Sequence, residues 1–123
     1  MLERFDFVAT LPAADIERAK AWYRDKLGLE PLEEHEGAVM YRAGPSTFQL
    51  YPTQHAGTAR NTLGAWYADN IEAVVGARGV EFEEYDFPGL KTEDGIADLG
   101  FERSPWFKDS EGNTLAIAQL ANQ

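Results

Sequence analysis

The chain has 123 residues, 44% of them hydrophobic, with 21 acidic against 11 basic side chains and a net charge of −10. That balance excludes a nucleic-acid binder, which needs a basic face to displace counterions from phosphates. The lack of cysteine excludes a disulfide framework, a thiolate nucleophile and thiolate metal sites. No apolar run approaches the roughly 20 residues of a membrane-spanning helix, and Met1-Leu2-Glu3-Arg4-Phe5 lacks the basic-then-apolar pattern of a secretory signal. One cytoplasmic domain is therefore expected, with no membrane and no nucleic acid among its partners.

In chain order, Phe5 to Leu11 reads as a strand bounded by Pro12. Asp15 suits an N-cap, because its carboxylate accepts from backbone N–H groups that have no partner inside the helix. Ile16, Ala19, Trp22, Tyr23 and Leu27 follow at helical spacing, and Gly28 fits the left-handed position that ends such a helix. Strands are predicted near Glu30–His35, Ala38–Arg42 and Thr47–Tyr51, with Gly44-Pro45 as a turn and residues 52–60 as a linker. Thr62–Tyr67 is the next predicted strand. Asp69 is expected to cap a shorter helix through Ile71, Val74 and Val75, closed by Gly79. Strands at Val80–Tyr85 and Asp98–Arg103 flank a Pro/Gly-punctuated loop over Phe87 to Gly95. A tight turn rich in Asp, Ser, Gly and Asn lies before the last strand, Thr114–Gln119.

The plan is written twice. Ala14-Asp15-Ile16-Glu17 and Ala68-Asp69-Asn70-Ile71-Glu72 each follow an apolar run and open a helical pattern, their aspartates 54 positions apart. Internal repetition fixes architecture before any single residue does. The predicted class is α+β: two βαβββ repeats, over residues 4–52 and 61–120 of one domain spanning 1–123, forming a cupped, partly open mixed sheet.

Asp15-Ile16-Glu17-Arg18-Ala19 with Trp22-Tyr23 and Leu27-Gly28-Leu29 in the first half resembles the vicinal oxygen chelate superfamily. So does Trp106-Phe107-Lys108-Asp109-Ser110-Glu111-Gly112-Asn113 in the second, which looks like that superfamily's closing hairpin. Glyoxalase I, bleomycin-resistance proteins and extradiol dioxygenases belong to it. The resemblance implies one metal ligand on each of four strands, at Val8, Gln49, Thr62 and Ala116. Transition metals want imidazole or carboxylate donors, and this set offers none. His35 and His55, the only histidines, read as surface residues. No cofactor is therefore expected.

Side chains alternate between strand faces. If Val8 points into the cup, so do Asp6 and Thr10, together with Thr47, Gln49 and Tyr51, Thr62, Gly64 and Trp66, and Thr114, Ala116 and Ala118. The opposite set (Phe7, Ala9, Leu11, Phe48, Leu50, Leu63, Ala65, Tyr67, Leu115 and Ile117) is expected to be core. Phe101 and Trp106 are placed near the rim, and the candidate ligand-binding residues are Asp6, Val8, Thr10, Gln49, Tyr51, Thr62, Trp66, Phe101, Trp106 and Ala116. A cup of small, hydroxyl and aromatic groups in a −10 chain suits a small, partly aromatic and cationic molecule. The expected function is binding of such a molecule by sequestration, in a homodimer as the bleomycin-resistance branch implies. The alternative is a lyase, isomerase or dioxygenase-type enzyme of the same superfamily, with Asp6 or Glu102 as base and Asp98 also within reach of the site.

Overall fold

A computed structural model describes residues 1–75 and 79–121, the side chains of Val74 and Val75 apart. The first half places β1 (Ala9–Ala13), α1 (Ile16–Leu27), β2 (Glu33–His35), β3 (Ala38–Ala43) and β4 (Ser46–Pro52) in one four-stranded sheet of order β1-β4-β3-β2 with its helix. The second half places β5 (Thr62–Tyr67), α2 (Ile71–Val75), β6 (Asp86–Phe87), β7 (Leu90–Glu93), β8 (Ile96–Asp98), β9 (Glu102–Lys108) and β10 (Thr114–Leu120) in a six-stranded sheet of order β5-β10-β9-β8-β7-β6. Each sheet is mixed. Its first strand runs parallel to its last, β1 with β4 and β5 with β10, and the rest pair antiparallel. The expected α+β repeat is what the chain forms.

Asp15 caps α1 as its sequence suggests, its carboxylate accepting from Arg18 N at 3.1 Å, and Gly28 closes the helix at φ 70°. The second cap is different. Asn70, not Asp69, accepts from Ala73 N at 3.2 Å, and Gly76 to Arg78 lie outside the described residues. The first strand begins at Ala9 and includes Pro12 rather than stopping before it. An edge strand tolerates a residue with no N–H, because one side of it has no ladder to feed. Val80–Tyr85 is no regular strand; it is tied to β9 by Glu83 N donating to Trp106 O and to β7 by Tyr85 N donating to Thr92 Oγ1. Phe87 to Gly95, read as a loop, carries the β6–β7 hairpin. The strand expected at 98–103 is two strands, broken where the Asp98 carboxylate accepts from Gly100 N.

The two sheets meet through one core. Leu11, Val39, Tyr41, Phe48 and Leu50 come from the first sheet, Phe107, Leu115 and Ile117 from the second, and Ala19, Tyr23 and Ile71 from the helices. Rings bridge the halves, with Phe48 edge-on to Trp66 at 5.7 Å and Trp22 stacked on Phe107 at 6.1 Å. Each such pair adds about 0.5–1.5 kcal/mol beyond area burial.

The turn from Asp109 to Asn113 fastens the second sheet to the first helix. Asp109 Oδ1 accepts from Glu111 N and Asn113 N, and its Oδ2 from the Tyr23 hydroxyl at 2.6 Å and from Asn113 Nδ2. The buried Glu111 carboxylate accepts from Asp15 N at 2.8 Å, from two guanidinium nitrogens of Arg18 and from the Ser110 hydroxyl. Burial pushes the Glu111 carboxyl up, but these donors outweigh it and hold it down at about 2. Gly57 of the linker rests on the same turn, where a Cβ would stand 2.7 Å from the Glu111 carbonyl oxygen.

Two buried tyrosines should separate on mutation. Tyr23 donates to Asp109, whereas the Tyr41 hydroxyl has no hydrogen-bond partner among the described residues. Tyr23→Phe is expected to cost about 1–3 kcal/mol in urea denaturation, and Tyr41→Phe to be neutral or stabilising. An equal loss for both would refute the assignment.

Glu111 has its folded carboxyl below its unfolded value, so its contribution is full above that unfolded value and is lost as pH falls toward about 2. Glu111→Gln should cost about 2–3 kcal/mol at neutral pH. Its stability curve should also be flatter than the parent's between about pH 5 and 2; parallel curves would show that Glu111 does not titrate as assigned.

Candidate functional site

Each sheet spends one face on the shared core and has another left over. On the first sheet that outer face carries a row formed by register, Thr10 beside Gln49 beside Met40, with Tyr51 and Pro12 next along. Gln49 Nε2 donates to Thr10 Oγ1 at 3.1 Å. On the second sheet Trp106 stands directly across from Ala116, which pairs in turn with Ala65. Lys108, Thr114 and Thr62 make the adjacent row. No hydrogen bond or ring contact among the described residues joins the two outer faces.

The second outer face carries the denser set of rings and polar groups. Ala97, Ala116 and Ala118 are small and nearly inaccessible, and the register puts Ala116 across from Trp106 and Ala97 across from Ser104. The wall of this face is aromatic, with Tyr85 edge-on to Trp106 at 5.8 Å and Phe87 edge-on to Tyr85 at 6.0 Å. The Trp106 indole N–H donates to Thr62 Oγ1 at 3.2 Å, and Lys108 Nζ to Thr114 Oγ1 at 2.9 Å. Carboxylates gather around this wall. Glu102 accepts from the Ser104 hydroxyl at 2.7 Å, Glu84 from the Thr92 hydroxyl at 2.6 Å, and Glu83 faces Lys108 at 3.5 Å. Burial raises the Tyr85 hydroxyl above its ordinary range, and Glu83 adds to this, so it stays a neutral donor.

Among the sequence candidates, Thr10, Gln49 and Tyr51 share the first outer face, and Thr62, Trp106 and Ala116 the second. Four others are placed differently. Asp6 is exposed and lies ahead of β1, and Val8 is half-buried there. Phe101 sits in the turn between β8 and β9, exposed. Trp66 faces the core, packed on Phe48 and stacked on Phe107 at 6.4 Å.

The cause for Trp66 is a bulge. Thr62 pairs with Thr114, but Gly64 pairs with Leu115, so Leu63 is an extra residue and the face reverses beyond it. Ala65 and Tyr67, expected in the core, are exposed for the same reason. Phe7, also expected there, precedes the strand and is 91% exposed. Tyr85, Phe87, Ser104 and Lys108 were missed. The last two share the parity of Trp106 and were legible from it, whereas the first two depend on how residues 80–87 fold back.

The four positions where the superfamily resemblance implies metal ligands do not fit a metal. Val8 and Ala116 have no donor atom. Gln49 spends its amide on Thr10, the Thr62 oxygen accepts from Trp106, and Trp106 lies directly across from Ala116 in the ladder. Among the described residues no group of three or more His, Asp or Glu is placed to hold an ion. Zinc or nickel in millimolar excess is expected to leave the melting temperature unchanged, since a bound ion would raise it by mass action. A rise of about 4 °C or more would reveal a donor set.

A family model described as Glyoxalase/Bleomycin resistance protein/Dioxygenase superfamily matches residues 4–117. None of the curated proteins matches the chain by sequence. Among solved structures, a bleomycin resistance determinant encoded on the transposon Tn5 is 14% identical, covering 95% of this chain and 98% of its own, with a TM-score of 0.71. A bleomycin-binding protein complexed with bleomycin is 14% identical over 94% and 98%, with a TM-score of 0.68. Lactoylglutathione lyase from Agrobacterium tumefaciens is 20% identical over 94% and 92%, with a TM-score of 0.63. These are likenesses of fold.

Proposed function

Because the chain belongs to the Glyoxalase/Bleomycin resistance protein/Dioxygenase superfamily, we propose that it is a binding member of it, holding a small, partly aromatic, cationic molecule without a metal. The observation that carries this reading is the place of Trp106. Its ring stands across from Ala116 and is hydrogen-bonded to Thr62, two of the positions where the resemblance implies metal ligands. An indole there offers a stacking surface in place of a Lewis acid.

The carboxylates of Glu83, Glu84 and Glu102 lie around that wall, in a chain of net charge −10. Such a field draws in a cation and gives it a counter-charge beside an aromatic face. The half-site on one chain is completed by the Thr10, Gln49 and Tyr51 face of a second copy, so the working form is a cytoplasmic homodimer that sequesters its ligand. A bleomycin-binding protein of the same fold is known with bleomycin bound.

Titration with cationic aromatic drugs, read by calorimetry beside native mass spectrometry, tests the reading. Trp106→Ala is expected to weaken binding about tenfold or more, and Glu102→Gln to weaken only the cationic members of the panel. Turnover of a ligand that is lost on Glu102→Gln would instead make Glu102 a catalytic base and the protein an enzyme. Binding untouched by either change would place the site elsewhere.

A further inference from the structure

One face of β9 carries a row of side chains whose two ends differ in charge and in hydrogen bonding. Glu102, Ser104, Trp106 and Lys108 alternate with Arg103, Pro105 and Phe107, so they share that face. Same-face neighbours on a strand lie about 7 Å apart, which sets Ser104 and Lys108 about 14 Å apart with Trp106 midway. At the Ser104 end the hydroxyl hydrogen is already spent, because it donates to Glu102 at 2.7 Å. What is left there is a carboxylate with lone pairs to spare.

The Lys108 end is the reverse. Thr114 Oγ1 accepts from Lys108 Nζ and Thr62 Oγ1 from the Trp106 indole, so both threonine oxygens already serve as acceptors. Neither hydroxyl hydrogen meets an acceptor among the described residues. Thr114 is only 4% exposed and holds the ammonium in place, while Thr62 and Lys108 stay open to solvent. Lys108 brings three N–H groups; one goes to Thr114, and Glu83 faces the ammonium at 3.5 Å. The ladder sets Lys108, Thr114 and Thr62 side by side on β9, β10 and β5, a row of donors with no acceptor opposite.

We propose that the ligand of this face is bipolar, with a cation at the Glu102 end, an aromatic system at Trp106 and a carboxylate at the Lys108 end. Lys108 is then the residue that determines specificity. The proposal rests on the cation-binding reading and adds the other end of the molecule. The charge of the chain sharpens the choice. A field set by a net charge of −10 turns away a simple anion, so a carboxylate is admitted only on a molecule that also brings a positive charge. A purely cationic ring leaves the donors of Lys108 and Thr62 unanswered and sets its far end beside an ammonium, which selects against it.

The test compares two probes by calorimetry. One is para-(aminomethyl)biphenyl, a cation only; the other is the same frame with a carboxylate at the far para position. The second is expected to bind about fivefold more tightly, the worth of a part-exposed, charge-assisted contact. Lys108→Met should erase that preference and Lys108→Arg should keep it; the side chain is 52% exposed, so neither change threatens the fold. Glu102→Gln should weaken both probes by a similar factor. Equal affinity of the parent for the two probes overturns the bipolar assignment, as does a carboxylate preference that survives Lys108→Met. In either case, binding of the amine that is lost on Trp106→Ala leaves the cation-binding reading standing. Binding of neither probe overturns both.

Discussion

The carboxylates of Asp109 and Glu111 are the constraint on which the rest of the structure depends. Both are buried, and a buried carboxylate is tolerable only when donors surround it. Asp109 is ringed by Tyr23, Asn113 and two backbone N–H groups; Glu111 by Arg18, Ser110 and the backbone of Asp15. Those donors come from the helix of the first half and the closing turn of the second. Satisfying the charge therefore fixes how the sheets sit on α1, and with it which faces are spent on the core.

The motif that carries this clasp was the most legible part of the sequence. Asp15, Trp22-Tyr23 and Gly28 gave a helix with both ends marked, and the Asp109-to-Asn113 turn announced itself by composition. The doubled strand–helix–strand plan followed from periodicity. Parity arguments held in the first sheet, where β1 and β4 keep register from Ala9 to Ala13. They failed in β5, because alternation assumes a regular ladder and Leu63 breaks it. No local signal marks that bulge: Gly64 is compatible with one, and also with an ordinary strand. Residues 80–95 were misread for another reason. Their pairing with β9 and β7 is set by Thr92 and Trp106, far from the segment's own pattern.

Two of the positions where the superfamily resemblance implies metal ligands are engaged by Trp106, which pairs across from Ala116 and donates to Thr62. Trp106 lies directly across from Ala116 in the ladder, and neither side chain offers a metal an imidazole or carboxylate. Thr62 illustrates the point, since its oxygen serves as acceptor for an N–H rather than facing an ion. Ala97, Ala116 and Ala118 are buried, and Trp106, Tyr85 and Phe87 form a chain of edge-on rings.

The bulge at Leu63 has a consequence for how such sites diversify. A strand that slips by one residue exchanges its two faces wholesale, so Trp66 on the core side and Tyr67 on the open side are a single deletion apart. Point substitution alters one side chain at a time and tests each against the packing. A change of length at an edge strand offers a whole new row of side chains at once, with the backbone ladder otherwise kept. In a duplicated fold the two halves can take that step independently, and one half can be rewritten while its twin preserves the original pattern.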